Sequence, residues 1–384
     1  MSKVALVRCN SYDYGAVKQA VTKGITLLGG PSVFVKPNEK ILLKPNWIMA
    51  VPPERCATTH PTVFKAVAEV FQAAGAKLSY GDSPGFSSPM IAAQKTGCAA
   101  VASELGIPLA DFQAGREIVY NEAVQNKKFT IANGVFDSDG LISLPKLKTH
   151  SFLKLTGSIK NQLGCVPGML KGEYHVKLPN PVNFAQMLVD LNSFIKPRLY
   201  IMDGIMAMEG NGPMGGDPRP MNVLLFSADP VALDATVCRI IHVNPELSYT
   251  VTLGKGAGLG TFLANEIELL GDPLDSFSDA KFNVNREPMI PYNVGGSIVR
   301  FIGNAIVPKP VITESKCVKC GICATMCPVS PKALDWRDGN KKRPPSYKYD
   351  RCIRCYCCQE VCPEGAIQLK TPLIRKVFSR KGKR

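Results

Sequence analysis

No stretch of this chain approaches the roughly 20 consecutive apolar residues that a membrane-crossing helix needs. The first twenty residues, MSKVALVRCNSYDYGAVKQA, also lack the apolar core of a signal peptide. Membrane insertion is therefore not expected, and a cytoplasmic location with reduced thiols is. Nucleotide signatures are missing too. In GKGAGLG, Gly254 to Gly260, Leu259 stands where G-x-G-x-x-G needs its last glycine, and no G-x-x-x-x-G-K-[ST] occurs. Histidine is scarce, with four in 384 residues. His60, His150 and His175 show no tight ligand spacing, so a histidine metal site has little support.

What remains is ordinary for a globular protein, with 45% hydrophobic and 20% charged residues. The length is sufficient for two domains. Two features are uneven. Nine of the fourteen cysteines lie between Cys317 and Cys362, and the segment from Ala305 onward carries 18 Lys/Arg against 6 Asp/Glu. The residues before it carry 28 against 25, a near-neutral balance that gives a nucleic-acid backbone little to hold. This break puts a domain boundary near Gly303 to Pro310, with IVPKP as linker. The expected division is 1–304, 305–374 and a basic tail, 375–384. Lys341, Lys342 and Arg343 join that tail in a basic surface, readable as solvated chain or as a docking patch for an acidic electron carrier.

The cysteine pattern is specific. Cys317-x-x-Cys320-x-x-Cys323-x-x-x-Cys327-Pro328 recurs as Cys352-x-x-Cys355-x-x-Cys358-x-x-x-Cys362-Pro363. Zinc sites usually take two pairs of ligands rather than two quartets ending in Cys-Pro, and disulfides are disfavoured in a reducing compartment. The doubled run resembles the bacterial two-cluster ferredoxins. That resemblance implies one 4Fe–4S cluster on Cys317, Cys320, Cys323 and Cys362, and another on Cys352, Cys355, Cys358 and Cys327. Cys357 breaks the spacing and reads as a bystander. GAIQL, after the second run, looks like the short strand of that fold.

Before the boundary, apolar strands alternate with helices. Strand-like KVALVRC, KILLKPN, AKLSYGD, LISLPKL, RLYIMDG and NVLLFSAD are interleaved with helical stretches at Ala16–Leu28, Pro61–Ala74, Phe184–Phe194 and Pro230–Ile241. This order predicts an α/β fold, a mostly parallel sheet with helices on both faces, followed by a small α+β module. Ligands of such sheets bind beyond the carboxyl ends of the strands, and the polar residues collect there. Lys44 and Asn46 end one strand, Asp82 and Ser83 the next, and Lys146, Lys148, Thr149 and His150 follow LISLP. Asp203 ends another, and Asp229 before Pro230 has the form of a helix N-cap. Each residue also has a structural reading: Asp82 and Ser83 as a cap, Lys146 and Lys148 as a solvated edge, His60 and His150 as partners of loop backbone. The EGNGPMGGDP loop, Glu209 to Pro218, is too polar for the core and reads as a lid or a plain surface loop.

LKPNW, TTHP, YGDSPG, LPKLKTHSFLKLTGSIKNQLG, IMDGIMAMEGNGP and SADPVALDA together resemble the family called domain of unknown function 362, over roughly Val4 to Asp272. The family supplies architecture, including frequent fusion to a ferredoxin module, and little mechanism. The expected function is an iron–sulfur oxidoreductase, passing electrons from a protein partner through two 4Fe–4S clusters to a small anionic substrate or cofactor. Asp82, His150 and Lys146 are its candidate catalytic residues. Lys44, Asn46, Ser83, Lys148, Lys160, Asn161 and Asp203 are its candidate ligand contacts. The competing expectation is a ferredoxin-type carrier or assembly factor whose large domain only docks.

Overall fold

The computed structural model describes residues 1–289, 307–336 and 339–372. Residues 303–306 of the expected boundary segment and the whole basic tail lie outside them.

The strands are β1 (Ser2–Arg8), β2 (Lys40–Pro45), β3 (Lys77–Tyr80), β4 (Gly115–Val119), β5 (Lys128–Ala132), β6 (Gly140–Leu144), β7 (Lys146–His150), β8 (Lys154–Leu155), β9 (Leu199–Glu209), β10 (Asp217–Ser227) and β11 (Ile267–Gly271). The main sheet runs β11-β1-β10-β9-β6-β2-β3, with β7 and β8 branching from β9. β2 pairs in parallel with β3 and β6, β6 with β9, and β1 with β11. β10 alone is reversed within this run, antiparallel to both β1 and β9. The mostly parallel sheet is as the sequence predicts, with one strand turned round.

Alternation along the strands feeds two cores. Ala5 and Val7 of β1 join one cluster with Leu224 and Phe226 of β10 and Ile201 of β9. Val4 and Leu6 face the other, with Val223, Leu225 and Met202. α1 (Tyr14–Leu27) and α2 (Pro61–Ala73) cover the first face through Val17, Val21, Phe64, Val67 and Phe71. On the opposite face, α3 (Pro181–Ile195) and α4 (Pro230–Ile240) contribute Phe184, Leu188, Val231 and Ala235 to a third cluster. Three of these helices open on a side-chain cap, the Asp229 cap as the sequence indicates and the Asn180 cap starting its helix at Pro181 rather than at the expected Phe184. Asp229 accepts the Ala232 N–H at 2.8 Å, His60 Nδ1 the Thr62 N–H at 3.2 Å and Asn180 the Val182 N–H at 2.8 Å, each followed by proline at the first helical position.

The cysteine-rich module is built on two small antiparallel pairs. Lys309–Ile312 pairs with Ile367–Lys370, the strand within GAIQL, and Leu334–Asp335 pairs with Ser346–Tyr347. It sits against the carboxyl edge of the main sheet. The Glu209–Pro218 loop, the turn between β9 and β10, is its seat rather than a lid. Gln359 Nε2 donates at 3.0 Å to the carbonyls of Asn211 and Gly212, and Asn211 Nδ2 donates to Ile367 O at 2.9 Å. Gly215 and Gly365 touch there. A Cβ built on Gly215 would lie 2.4 Å from the Gly365 Cα.

Gly215→Ala should therefore loosen the module, at about 1–3 kcal/mol by analogy with other overpacked contacts. The expected readout is faster proteolysis of the cysteine-rich segment, with the sheet domain's own unfolding transition little changed.

Candidate functional site

Beyond the carboxyl ends of β2 and β3 lies a cavity of about 770 Å³. Asn46, Asp82, Ser83, Lys148, Lys160 and Asn161, all candidates from the sequence, line it. Its other side is formed by Met326, Cys357, Glu360 and Val361 of the cysteine-rich module. The cavity thus exists only where the two parts meet.

The strand-end wall is organised by one buried ion pair. Lys44 Nζ lies 2.8 Å from Asp82 Oδ1, and both side chains are at most 4% exposed. Asp82 also accepts the Trp47 N–H at 2.6 Å and the Ser83 N–H at 3.0 Å. It therefore caps no helix; it ties the end of β3 to the end of β2. Asn161 closes the same knot, accepting from Asn46 Nδ2 at 2.9 Å and donating to Ser143 Oγ at 2.8 Å. Gly164 is required for this approach, since a Cβ there would fall 1.8 Å from Asp82 Oδ1. Lys44 stands behind this wall and does not itself line the cavity.

Lys146 and Lys148 do not share a site. β7 pairs with β9 through Lys146↔Asp203 and Lys148↔Met208, a register shift that separates the two lysines. Lys146 Nζ meets Asp203 Oδ2 at 2.7 Å and Tyr12 Oη at 2.8 Å, away from the cavity. Tyr12 donates to Asp203 Oδ1 at 2.9 Å and stacks on His60 at 3.6 Å. The Lys146–Asp203 pair is a satisfied internal network, so neither residue reaches a ligand in the cavity. Lys148 donates to Ala57 O and does line it, and burial beside Lys160 and Lys146 pushes its ammonium well below the ordinary range.

His150 is also set back. Its Nδ1 accepts the N–H groups of Phe152 at 3.1 Å and Leu153 at 3.2 Å, which leaves the proton of the neutral ring on Nε2. That nitrogen lies 3.0 Å from Glu360 Oε1 of the module. Burial and Lys160 push His150 down to about 4, and the His150 and Lys160 side chains hold Glu360 well below the usual carboxylate range, despite its burial. His150 thus serves the seam between the two parts, and its proton is not presented to the cavity.

Lys171 and Glu360, which also line the cavity, escape the sequence reading, and His175, weighed there only as a metal ligand, joins them. Lys171 and His175 lie on one helix, Leu170–Lys177, four residues apart and therefore on one face. That spacing was the available signal. Lys171 Nζ donates to Ser83 Oγ at 2.7 Å and Val166 O at 2.9 Å, and desolvation brings it down to about 7. Lys160 is the exception among the cavity's cations. Its charge acts on Lys148, His150, Lys171, His175 and Glu360, yet its own ammonium has no hydrogen bond or ion pair among the described residues.

In the module, Cys317, Cys320, Cys323 and Cys362 line one cavity of about 370 Å³. Cys327, Cys352, Cys355 and Cys358 line another of about 330 Å³. Each quartet draws its fourth thiol from the other motif. Among the described residues no three His, Cys, Asp or Glu side chains are placed to hold a single ion. Burial, then the neighbouring Cys362, Cys320 and Cys317, pushes the Cys323 thiol up to about 12. The residues present fit 4Fe–4S clusters. Cys357 lines neither quartet's cavity; its free thiol shares a hydrogen bond with the Cys355 sulfur and its residue borders the central cavity.

The family profile described as domain of unknown function, DUF362, matches residues 41–239, half of the chain. This protein belongs to the DUF362 family. A second profile, the 4Fe–4S dicluster domain, matches residues 309–366. The DUF362 chain is 37% identical over 280 residues to a thylakoid-associated protein of Synechocystis, covering 73% of this chain and 87% of that protein. Over 46 residues it is 46% identical to ketoisovalerate oxidoreductase subunit VorD of Pyrococcus abyssi, covering 12% of this chain and 44% of that subunit. Among solved structures, the lactate racemase apoprotein of Thermoanaerobacterium thermosaccharolyticum matches at 12% identity and a TM-score of 0.40, over 61% of this chain and 55% of that one. No helix among the described residues is long and apolar enough to cross a membrane.

Two predictions rest on this geometry. Asp82→Asn strands the buried Lys44 ammonium and should cost about 3–5 kcal/mol in urea unfolding. The second concerns pH. His60, His150 and His175 are each lowered to about 4, chiefly by burial, so between about 4 and the ordinary 6.5 the unfolded chain binds more protons. Asp234, raised to about 7, opposes this as a single group. Stability should therefore fall as pH drops from 6.5 towards 4, and His175→Phe should flatten that slope in urea midpoints.

Proposed function

We propose that this protein is an iron–sulfur oxidoreductase that binds a small anion in the central cavity. The supporting observation is the cavity's double wall: the lysine-bearing strand ends on one side, and on the other Met326, Cys357 and Val361, each adjacent in sequence to a cysteine of the quartets. A ligand there would lie against the very segments that hold the clusters. In this reading Cys317, Cys320, Cys323 and Cys362 hold one 4Fe–4S cluster, and Cys327, Cys352, Cys355 and Cys358 the other. Bound clusters supply one-electron transfer.

The chain's own groups do the rest. Lys160 holds the anion's charge, a favourable match because a buried ammonium is costly without one, and Lys148 donates a hydrogen bond beside it. Asn46 and Ser83 orient the anion, while Lys44, Asp82 and Asn161 keep the wall rigid. Lys171, already near neutral pH in its proton affinity, is the group best suited to give up a proton, a role the sequence had suggested for Asp82 and His150. Lys146 and Asp203 act as scaffold in this scheme. The domains are taken as 1–304 and 305–374, with a cytoplasmic location and a protein electron donor. The exposed Lys341, Lys342 and Arg343 belong to the surface that donor would meet.

The test is anaerobic purification. The reconstituted chain should carry about eight iron atoms, as two 4Fe–4S clusters require. Acid extraction should release a small anion, identified by mass spectrometry, that Lys160→Met no longer retains. That extract should reoxidise the dithionite-reduced wild type and leave the reduced Lys160→Met protein unchanged. A chain with far fewer iron atoms, or a Lys160→Met protein with undiminished response, sinks the reading; the latter result is what a simple carrier gives.

A further inference from the structure

The two walls of the central cavity differ in chemistry, and this narrows the ligand. On the strand-end side the Lys160 ammonium is unpartnered among the described residues. Thr156 Oγ1 and His175 Nδ1, on residues each 5% exposed, are likewise without hydrogen-bond partners and belong to the same cavity. Buried polar atoms of this kind are normally satisfied, so they point to a bound acceptor or donor. On the module side the character changes. Ile48 and Met326 pack on Val361 in one hydrophobic cluster with Met49 and Met214, and this cluster spans both parts of the protein.

Extent separates the candidates further. The lining runs from Lys160 and His175 to Ile48, Met326 and Val361, more residues than an inorganic anion alone could touch. A sugar phosphate would set most of its hydroxyls against Ile48, Met326 and Val361, with only Glu360 and Cys357 on that wall able to hydrogen-bond them, at a desolvation cost. An apolar body would instead remove that surface from water.

We propose that the cavity takes an amphipathic acid, its anionic group at Lys160 and its apolar body along Ile48, Met326 and Val361. This rests on the reading of the cavity as an anion site and deepens it. The apolar end, and not the acid group, is what lies against the cluster-bearing module. Thr156 and His175 complete the acid group's hydrogen bonds.

Calorimetric titration of the anaerobically reconstituted full chain tests this, with acetate, octanoate, 1-naphthoate, neutral 1-naphthamide and inorganic phosphate as probes. At least one of octanoate and 1-naphthoate should bind about ten-fold or more tighter than acetate and phosphate, as burial of several CH₂ equivalents implies. 1-Naphthamide should bind about ten-fold more weakly than its acid, and Lys160→Met should remove that difference. Ile48→Gln should weaken the larger acids about three- to ten-fold and leave acetate unchanged. If acetate or phosphate binds as tightly as both larger acids, the amphipathic assignment is wrong while the anion site stands. If no anion binds the folded wild type, both readings fall. The acid series needs no variant, so a misfolded Ile48→Gln protein would not shield the proposal.

Discussion

A lysine ammonium removed from water must be matched by negative charge or lose its proton, and this constraint shapes the centre of the protein. Lys44, Lys146, Lys148 and Lys160 are all buried around the carboxyl edge of one sheet. Two are matched internally, Lys44 by Asp82 and Lys146 by Asp203. Lys148 rests on a backbone carbonyl. Lys160 alone is left over, and the cavity opens beside it. The cationic character of the site is thus the remainder after internal pairing, not the sum of the lysines present.

The second constraint is the seam. Glu360, held against His150, comes from the same short turn that supplies Cys358, and its neighbour Gln359 grips the loop at Asn211 and Gly212. Three consecutive residues therefore face three duties: a thiol for a quartet, an amide for docking and a carboxylate for the histidine. Such coupling gives the module a fixed orientation and makes the cavity a joint product. Neither part would present this wall alone.

Much of this was legible in the sequence, for identifiable reasons. The two cysteine runs were visible from their spacing, and their crossed grouping into quartets was what the resemblance to two-cluster ferredoxins implied. The strand ends follow from alternation, and Lys44, Asn46, Asp82 and Ser83 fell where parallel sheets place their ligands. What failed depended on distant partners. Nothing near Lys146 announces Asp203 or Tyr12, and the register shift that parts Lys146 from Lys148 arises from pairing with β9. Glu360 reads as part of a ferredoxin motif until the module is docked. The Glu209–Pro218 loop was misread because a composition of glycine and asparagine signals a turn without saying what leans on it.

The reversed strand β10 has an architectural outcome. Had it run with its neighbours, the connection from β9 would have returned across the face of the sheet, sheathed by a helix, to start again from the far rim. Instead the polypeptide doubles back at once, leaving a promontory unsheathed by any helix at the rim where the strands finish. A foreign redox module could be added to such an outcrop without disturbing the layers beneath, which gives a physical route by which two independent folds came to share one chamber.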